Sequence, residues 1–296
     1  MHTNAVLALA GMNLIWGAMF PLTKPALETI PPFTFTFLRF VLALAIILPL
    51  AGRQALALLW GPDGGRLALL GLMGFGLCQA AQTLALKLST ASDIALLSTI
   101  TPIWIALLAR LWLAERVGRI GQAGFVVALV GVLMIIWPRG GGGAELSQRI
   151  IGDAIYMISP AAWAYYIVVG KAMMERHDPL QVTAAAGLIG TLALIPLAAW
   201  ELLTGQTPKL TLVGAAGVAY AGVLVTALGF VVLFWALARV KAAQAGILIY
   251  LQPLAGVVLA WWLLGERLGV EFFLGAVLVL GGAYLVIVYP SGKAVD

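Results

Sequence analysis

Stretches of about twenty apolar residues, the length that crosses a ~30 Å hydrocarbon core as a helix, follow one another along the chain. Each is closed by glycine, proline or charged side chains. They predict spans at 4–20, 33–50, 67–86, 91–112 and 118–137, then, beyond the glycine run Gly140 to Gly143, at 151–170, 180–202, 212–237, 242–264 and 269–289. The connections are too short to hold a domain outside the membrane. The expected fold is an all-α integral membrane protein with ten transmembrane helices. The first span lacks a basic leading region and resembles the others, so it reads as a permanent helix rather than a cleaved signal.

Composition narrows the class. Apolar residues make up 62% of the chain and charged ones 10%, against about 25% charged in a soluble domain, and the mean hydropathy is +1.05. The net charge of +5 comes from 17 basic and 12 acidic residues. The basic residues stand singly at the ends of apolar runs, a pattern that sets membrane orientation and does not build a nucleic-acid surface. Arg53, Arg66, Arg116, Arg119, Lys171, Arg176, Arg239, Lys241 and Lys293 fall on the side of the termini. Lys24, Lys87, Arg139, Arg149, Lys209 and Arg267 fall opposite. That bias predicts a multi-pass protein of the inner (plasma) membrane with both termini cytoplasmic. Cys78 is the single cysteine, so no disulfide forms within the chain.

The two halves repeat. One offset lays Pro102 on Pro253, Ala109 on Ala260, Leu113 on Leu264, Glu115 on Glu266, Arg116 on Arg267, Gly118 on Gly269, Gly124 on Gly275 and Gly131 on Gly282. A slightly different one lays Trp16 on Trp163 and Lys24 on Lys171. Five spans per copy is an odd number, so the second copy enters the bilayer from the opposite face, giving two inverted five-helix repeats at 1–143 and 144–296. Two such repeats, each with a mid-span proline (Thr101-Pro102, Gln252-Pro253) and a Leu-small-Glu-Arg-apolar-Gly turn (Leu113 to Gly118, Leu264 to Gly269), resemble the EamA family of the drug/metabolite transporter superfamily. Within it the chain looks most like the YddG-type exporters. The resemblance implies outward movement of aromatic and other neutral amino acids through a cavity between the halves, formed chiefly by the first, third, fourth, sixth, eighth and ninth spans.

Pro102 and Pro253 each remove a helical hydrogen bond and free carbonyls near Ser98 and Ile249. They read as kinks or, given their symmetry, as hinges for alternating access. Mid-span polar groups mark either helix contacts or the transport path. Gln79, Gln82 and Thr83 share one face of the third span, Ser98 and Thr101 share one of the fourth, and Tyr250 and Gln252 precede the second proline. Asn13 and Trp16 continue toward Phe20 and Lys24 at helical steps, as Tyr156, Ser159 and Trp163 do on the sixth span. These stripes serve as packing faces or as an aromatic wall for flat apolar side chains. Other tryptophans, Trp60, Trp137 and Trp200, sit at span ends as an interfacial belt. Gly124 with Gly131 and Gly275 with Gly282 provide small faces for close packing of spans five and ten.

All acidic residues fall in connections or at span ends. A buried-acid proton carrier and a counter-charge for an obligatory cation are therefore missing, and a neutral or zwitterionic substrate is expected. Arg39, inside the second span, is expected to snorkel or to meet carbonyls, with a substrate carboxylate as the other reading, and Arg110 is expected to snorkel toward the cytoplasm. The expected function is secondary export of neutral or aromatic amino acids or similar small zwitterions, or else of other drug-like or metabolite compounds. An intramembrane enzyme lacks a catalytic set, since the histidines are His2 and His177. A channel lacks a filter repeat and rings of charge, and nucleotide-binding loops are missing. Small-molecule substrate and lipid bilayer are the expected partners, with no nucleic acid, no obligate protein partner, no cofactor and no metal.

Overall fold

The computed structural model describes residues 2–112, 118–136, 144–237, 248 and 251–288. Tyr250, Ile249, Glu115, Arg116, Arg139, Arg239, Lys241, Lys293, Trp137 and the run Gly140 to Gly143 lie outside them, as do the side chains of Arg110 and Arg119. The described residues hold helices and no strand: α1 (His2–Thr23), α2 (Pro32–Ala51), α3 (Gly64–Leu88), α4 (Ala91–Leu97), α5 (Thr101–Trp112), α6 (Arg119–Ile136), α7 (Ala144–Tyr156), α8 (Ile158–Met174), α9 (Pro179–Leu203), α10 (Leu212–Ala219, continuing to Leu237), α11 (Leu251–Leu264) and α12 (Val270–Val288). Five stretches among them are long and apolar enough to cross a membrane: Asn4–Glu28, Pro32–Ala51, Gly64–Leu88, Pro179–Leu203 and Leu212–Leu233. Shorter apolar helices cover Ala91–Ile105, Gln122–Ile135, Leu251–Leu264 and Val270–Leu285. Large side chains such as Leu129, Val126, Val277 and Leu203 are exposed, a surface suited to lipid rather than water.

Several elements depart from uninterrupted helix. The fourth span is broken by a 3₁₀ turn, Ser98–Ile100. Pro102 has no N–H to offer the Ser98 carbonyl, and the Thr101 hydroxyl donates to that oxygen instead, at 2.7 Å. The sixth span is two helices separated at Met157, where Pro160 removes the donor that the Tyr156 carbonyl would otherwise meet. Two π-helical stretches, Leu72–Leu77 inside α3 and Tyr220–Leu228 inside α10, occupy matching places in the halves. Such bulges loosen the regular ladder and cluster at functional positions.

Packing repeats as the sequence does. α1 packs on α11 and α10, while its counterpart α8 packs on α5 and α3. α2 meets α9 and α10; α9 meets α2 and α3. Exchanging the halves maps this set of contacts onto itself. α6 and α12 pair with each other through the predicted glycines: a Cβ on Gly131 would stand 2.7 Å from the Gly275 carbonyl oxygen, and one on Gly282 would stand 2.5 Å from that of Gly124. Backbone approach this close excludes any side chain. Gly282→Ala is expected to push α6 and α12 apart and destabilise the protein by about 1–3 kcal/mol. The adjacent Gly281, with nothing within 4 Å, should tolerate alanine; thermal unfolding of both variants in detergent makes the comparison.

Candidate functional site

The halves meet where α1, α2, α3, α8 and α10 converge, and there each half presents its tryptophan to the π stretch of the other. The Trp16 indole N–H donates to the Val225 carbonyl in the second π stretch at 2.8 Å, and Gly229 lies so close that a Cβ would stand 2.8 Å from the Trp16 Nε1. Trp163 lies edge-on to Phe75, in the first π stretch, with centroids 6.4 Å apart, and stacks on Tyr166 at 5.0 Å. Phe75 also contacts Phe40, Tyr166 and Phe230 at 5.6, 5.4 and 5.7 Å. Phe40, Phe75, Tyr166 and Phe230 are buried; Trp163, at the margin of these packed rings, and Trp16, against α10, are half-buried.

The remaining predicted residues divide into three groups. Gln252 donates to the Asn13 side-chain oxygen at 2.7 Å, Asn13 donates to the Leu9 carbonyl at 2.7 Å, and the Tyr220 hydroxyl donates to the Ile15 carbonyl at 2.7 Å, tying α1 to α11 and α10. The Ser98 hydroxyl donates to Ala95 O at 2.7 Å, and Tyr156 is buried. Ser98 and Thr101 thus bond backbone of their own helix, a local repair of the proline break. Around Cys78, Ser159 shares a hydrogen bond with the thiol at 3.3 Å and Gln79 donates to the sulfur at 3.7 Å. The Gln79 side-chain oxygen and Thr83 hydroxyl are buried without a partner, and Gln82 is half-buried one turn away. Pro253 is buried, and Pro102 half-buried. Pro253 lines an apolar hollow of about 480 Å³ with Leu96, Leu254, Val257 and Phe272, and none of these polar groups lines it.

One expectation is corrected. Arg39 does not snorkel and meets no carbonyl: it is 3% exposed, with Nη2 donating to the Thr226 hydroxyl at 3.3 Å, Nη1 facing the Met19 sulfur at 3.8 Å and Cζ 4.9 Å from the Phe40 ring centre. The π stretch supplies Thr226, whose own hydroxyl donates to Ala221 O at 2.8 Å. Sequence reasoning missed the π stretches altogether, because side-chain periodicity does not register one extra residue in a helical turn.

The EamA-like transporter family matches the chain twice, over residues 3–137 and 150–288. The chain belongs to the EamA-like transporter family. An uncharacterized transporter of Archaeoglobus fulgidus is 29% identical over 96% of this chain and 98% of its own. The uncharacterized transporter YetK of Bacillus subtilis is 23% identical over 98% and 91%. A solved crystal structure aligns over 97% of both chains with a TM-score of 0.65 at 19% identity, a likeness of fold.

In this EamA-family protein, a multi-pass membrane transporter, one end of the bundle is tied by buried polar links. Glu201 of α9 accepts from the Phe33 and Thr34 amides at 2.9 and 2.7 Å and from the Thr34 hydroxyl at 2.8 Å, supplying the acceptors that open the start of α2. Glu266 does the same for Ala91 and Ser92 at the start of α4, at 2.7 and 3.0 Å. Arg149 of α7 pairs with Asp93 at 2.7 Å, and Asp153 accepts from Ser89, whose carbonyl also receives Lys24. Each carboxylate meets amide donors, a hydroxyl or a cation where the charge is favourable. The ties at Asp63, to Arg176 and His177 at 3.5 and 3.4 Å, are more exposed. Glu201→Ala leaves buried amides and a hydroxyl without acceptors and is expected to cost about 1–3 kcal/mol of stability, with Glu201→Gln retaining part; unfolding in mixed micelles measures both.

Proposed function

We propose that the protein is a secondary transporter that exports neutral, chiefly aromatic, amino acids and similar small zwitterions by alternating access. In this reading ten transmembrane helices form two inverted repeats, 1–143 and 144–296, with both termini cytoplasmic. The reading is carried by the reciprocal seam in which Trp16 and Trp163 lie against the π stretch of the opposite half. A pair of half-buried tryptophans at the contact between two related halves offers flat apolar surface to a ring-bearing side chain. Asn13, Gln79, Gln82, Thr83, Ser98, Thr101, Tyr156, Ser159 and Gln252 are assigned to the substrate path as its hydrogen-bonding residues, with Tyr250 added from the sequence alone.

Alternating access then consists of opening the end tied by Glu201, Glu266, Arg149 and Asp93 while the opposite end shuts. Pro102 and Pro253 serve as hinges, since helices lacking one hydrogen bond bend at lowest cost. Among the described residues the buried carboxylates Asp93, Asp153 and Glu201 stand toward that tied end rather than around the tryptophans, which favours uptake of a neutral or zwitterionic molecule over exchange through a mid-membrane acid.

Counter-flow in proteoliposomes of purified protein, with aromatic, small neutral, basic and acidic amino acids compared against sugars and organic cations, tests the proposal. Saturable exchange that is highest for aromatic amino acids is expected, and a non-saturating flux or a preference for sugars or cations overturns it. Trp163→Ala and Trp16→Ala should lower aromatic amino-acid exchange about two- to tenfold, the size expected for losing one aromatic contact of roughly 0.5–1.5 kcal/mol, measured on monodisperse protein because Trp16→Ala also leaves the Val225 carbonyl without its donor. Pro102→Ala and Pro253→Ala should slow turnover and leave substrate affinity close to wild type, read from equilibrium binding.

A further inference from the structure

The buried guanidinium of Arg39 has too few partners. Its five N–H donors meet one hydroxyl oxygen, on Thr226, and one weak sulfur acceptor, on Met19, and its Nε has no acceptor at all. Among the described residues no carboxylate pairs with it. A cation in that condition inside a membrane protein is costly, and such residues persist where they serve transport or binding.

The repeat provides an internal control for an architectural role. The offset that lays Trp16 on Trp163 lays Arg39 on Ala186 and Leu42 on Ile189, and the offset that lays Pro102 on Pro253 lays Gly71 on Gly222. The structure keeps both contacts. A Cβ on Gly222 would stand 2.8 Å from the Arg39 carbonyl oxygen and 3.1 Å from Leu42, and one on Gly71 would stand 2.5 Å from the Ala186 carbonyl oxygen and 2.8 Å from Ile189. The same helix crossing is thus built twice, once with a buried arginine and once with a fully buried alanine. The neighbour changes in step: Thr226, which receives the guanidinium, corresponds to Phe75 in the first half. An apolar pair is sufficient for packing, so the charge in α2 has another task.

We infer that Arg39 is the receptor for a carboxylate on the transported molecule, an inference that rests on the reading of the chain as an exporter of small zwitterions and names the group that holds their acid end. The planar fork of donors matches a carboxylate. A single fixed positive charge balances a monoanion, whereas a phosphate monoester brings close to two negative charges. Phe40 under the guanidinium leads through Phe75 to Trp163 and Phe230, so the acid end sits beside ring surface suited to an apolar body. Arg39 therefore selects for the head group, and the tryptophans select for the side chain.

The test uses full-length protein in nanodiscs with three probes that share one ring: L-phenylalanine, 3-phenylpropionate, which lacks the ammonium, and phenethylamine, which lacks the carboxylate. Wild type is expected to bind the two carboxylates at least tenfold more tightly than phenethylamine by calorimetric titration. Arg39→Gln should weaken both carboxylates about ten- to a hundredfold and leave phenethylamine unchanged, with Arg39→Lys between. Equal wild-type affinity for phenethylamine and L-phenylalanine overturns the assignment without recourse to any variant. So does undiminished L-phenylalanine affinity in a monodisperse Arg39→Gln protein, or binding of neither carboxylate by wild type. Arg39-dependent binding of 3-phenylpropionate with no L-phenylalanine transport supports the assignment and defeats the amino-acid reading; wild-type L-phenylalanine transport by Arg39→Gln does the reverse.

Discussion

Hydrocarbon offers no hydrogen bonds, so every backbone group that leaves the α-helical ladder inside this protein must be answered from within the protein. The details of the seam follow from that constraint. The Thr101 hydroxyl takes the carbonyl orphaned at Pro102. The Trp16 indole takes a carbonyl of the π stretch in α10, and Thr226 takes another. Glu201 and Glu266 take the amides that open α2 and α4. Thr101 and Thr226 answer within their own helix, whereas Trp16, Glu201 and Glu266 answer from the other half, so those irregular places are also places where the halves are fastened.

Close glycine contacts and single polar contacts fasten the bundle in different ways. α6 and α12 are joined by backbone contact at Gly131 with Gly275 and at Gly124 with Gly282. α1, α3 and α10 approach neighbouring backbone as closely, Gly17 at Gln252, Gly71 at Ala186 and Gly222 at Arg39. Around the π stretches and the tryptophans the contacts across the seam also include single hydrogen bonds and ring edges. Bonds of that kind exchange at a cost of about 1 kcal/mol each, within reach of substrate binding.

Departures from symmetry are as informative as symmetry itself. Two copies of one design share the constraints of packing, so a residue pair that differs between them while the surrounding contacts are kept is released from packing duty. Arg39 and Ala186 are such a pair, and Thr226 changes in step with them, its counterpart Phe75 being packed in the aromatic cluster. The asymmetry places one fixed charge beside one aromatic cluster, an arrangement that gives the seam a polar pole and an apolar pole.

Much of this was legible in the residues alone. Run length and apolar content determine that the chain lies in a membrane, because only long apolar helices satisfy hydrocarbon. The paired prolines, glycines and tryptophans identify a duplicated family fold, because duplication copies positions that packing then preserves. The π stretches, the burial of Arg39 and the capping by Glu201 were decided by the tertiary structure, as was the break of the fourth span at which Ser98 and Thr101 bond backbone of their own helix. Arg39 and Glu201 depend on which donor stands opposite which acceptor across the seam. Sequence spacing describes neighbours on one helix, and the partners of those two groups lie on another.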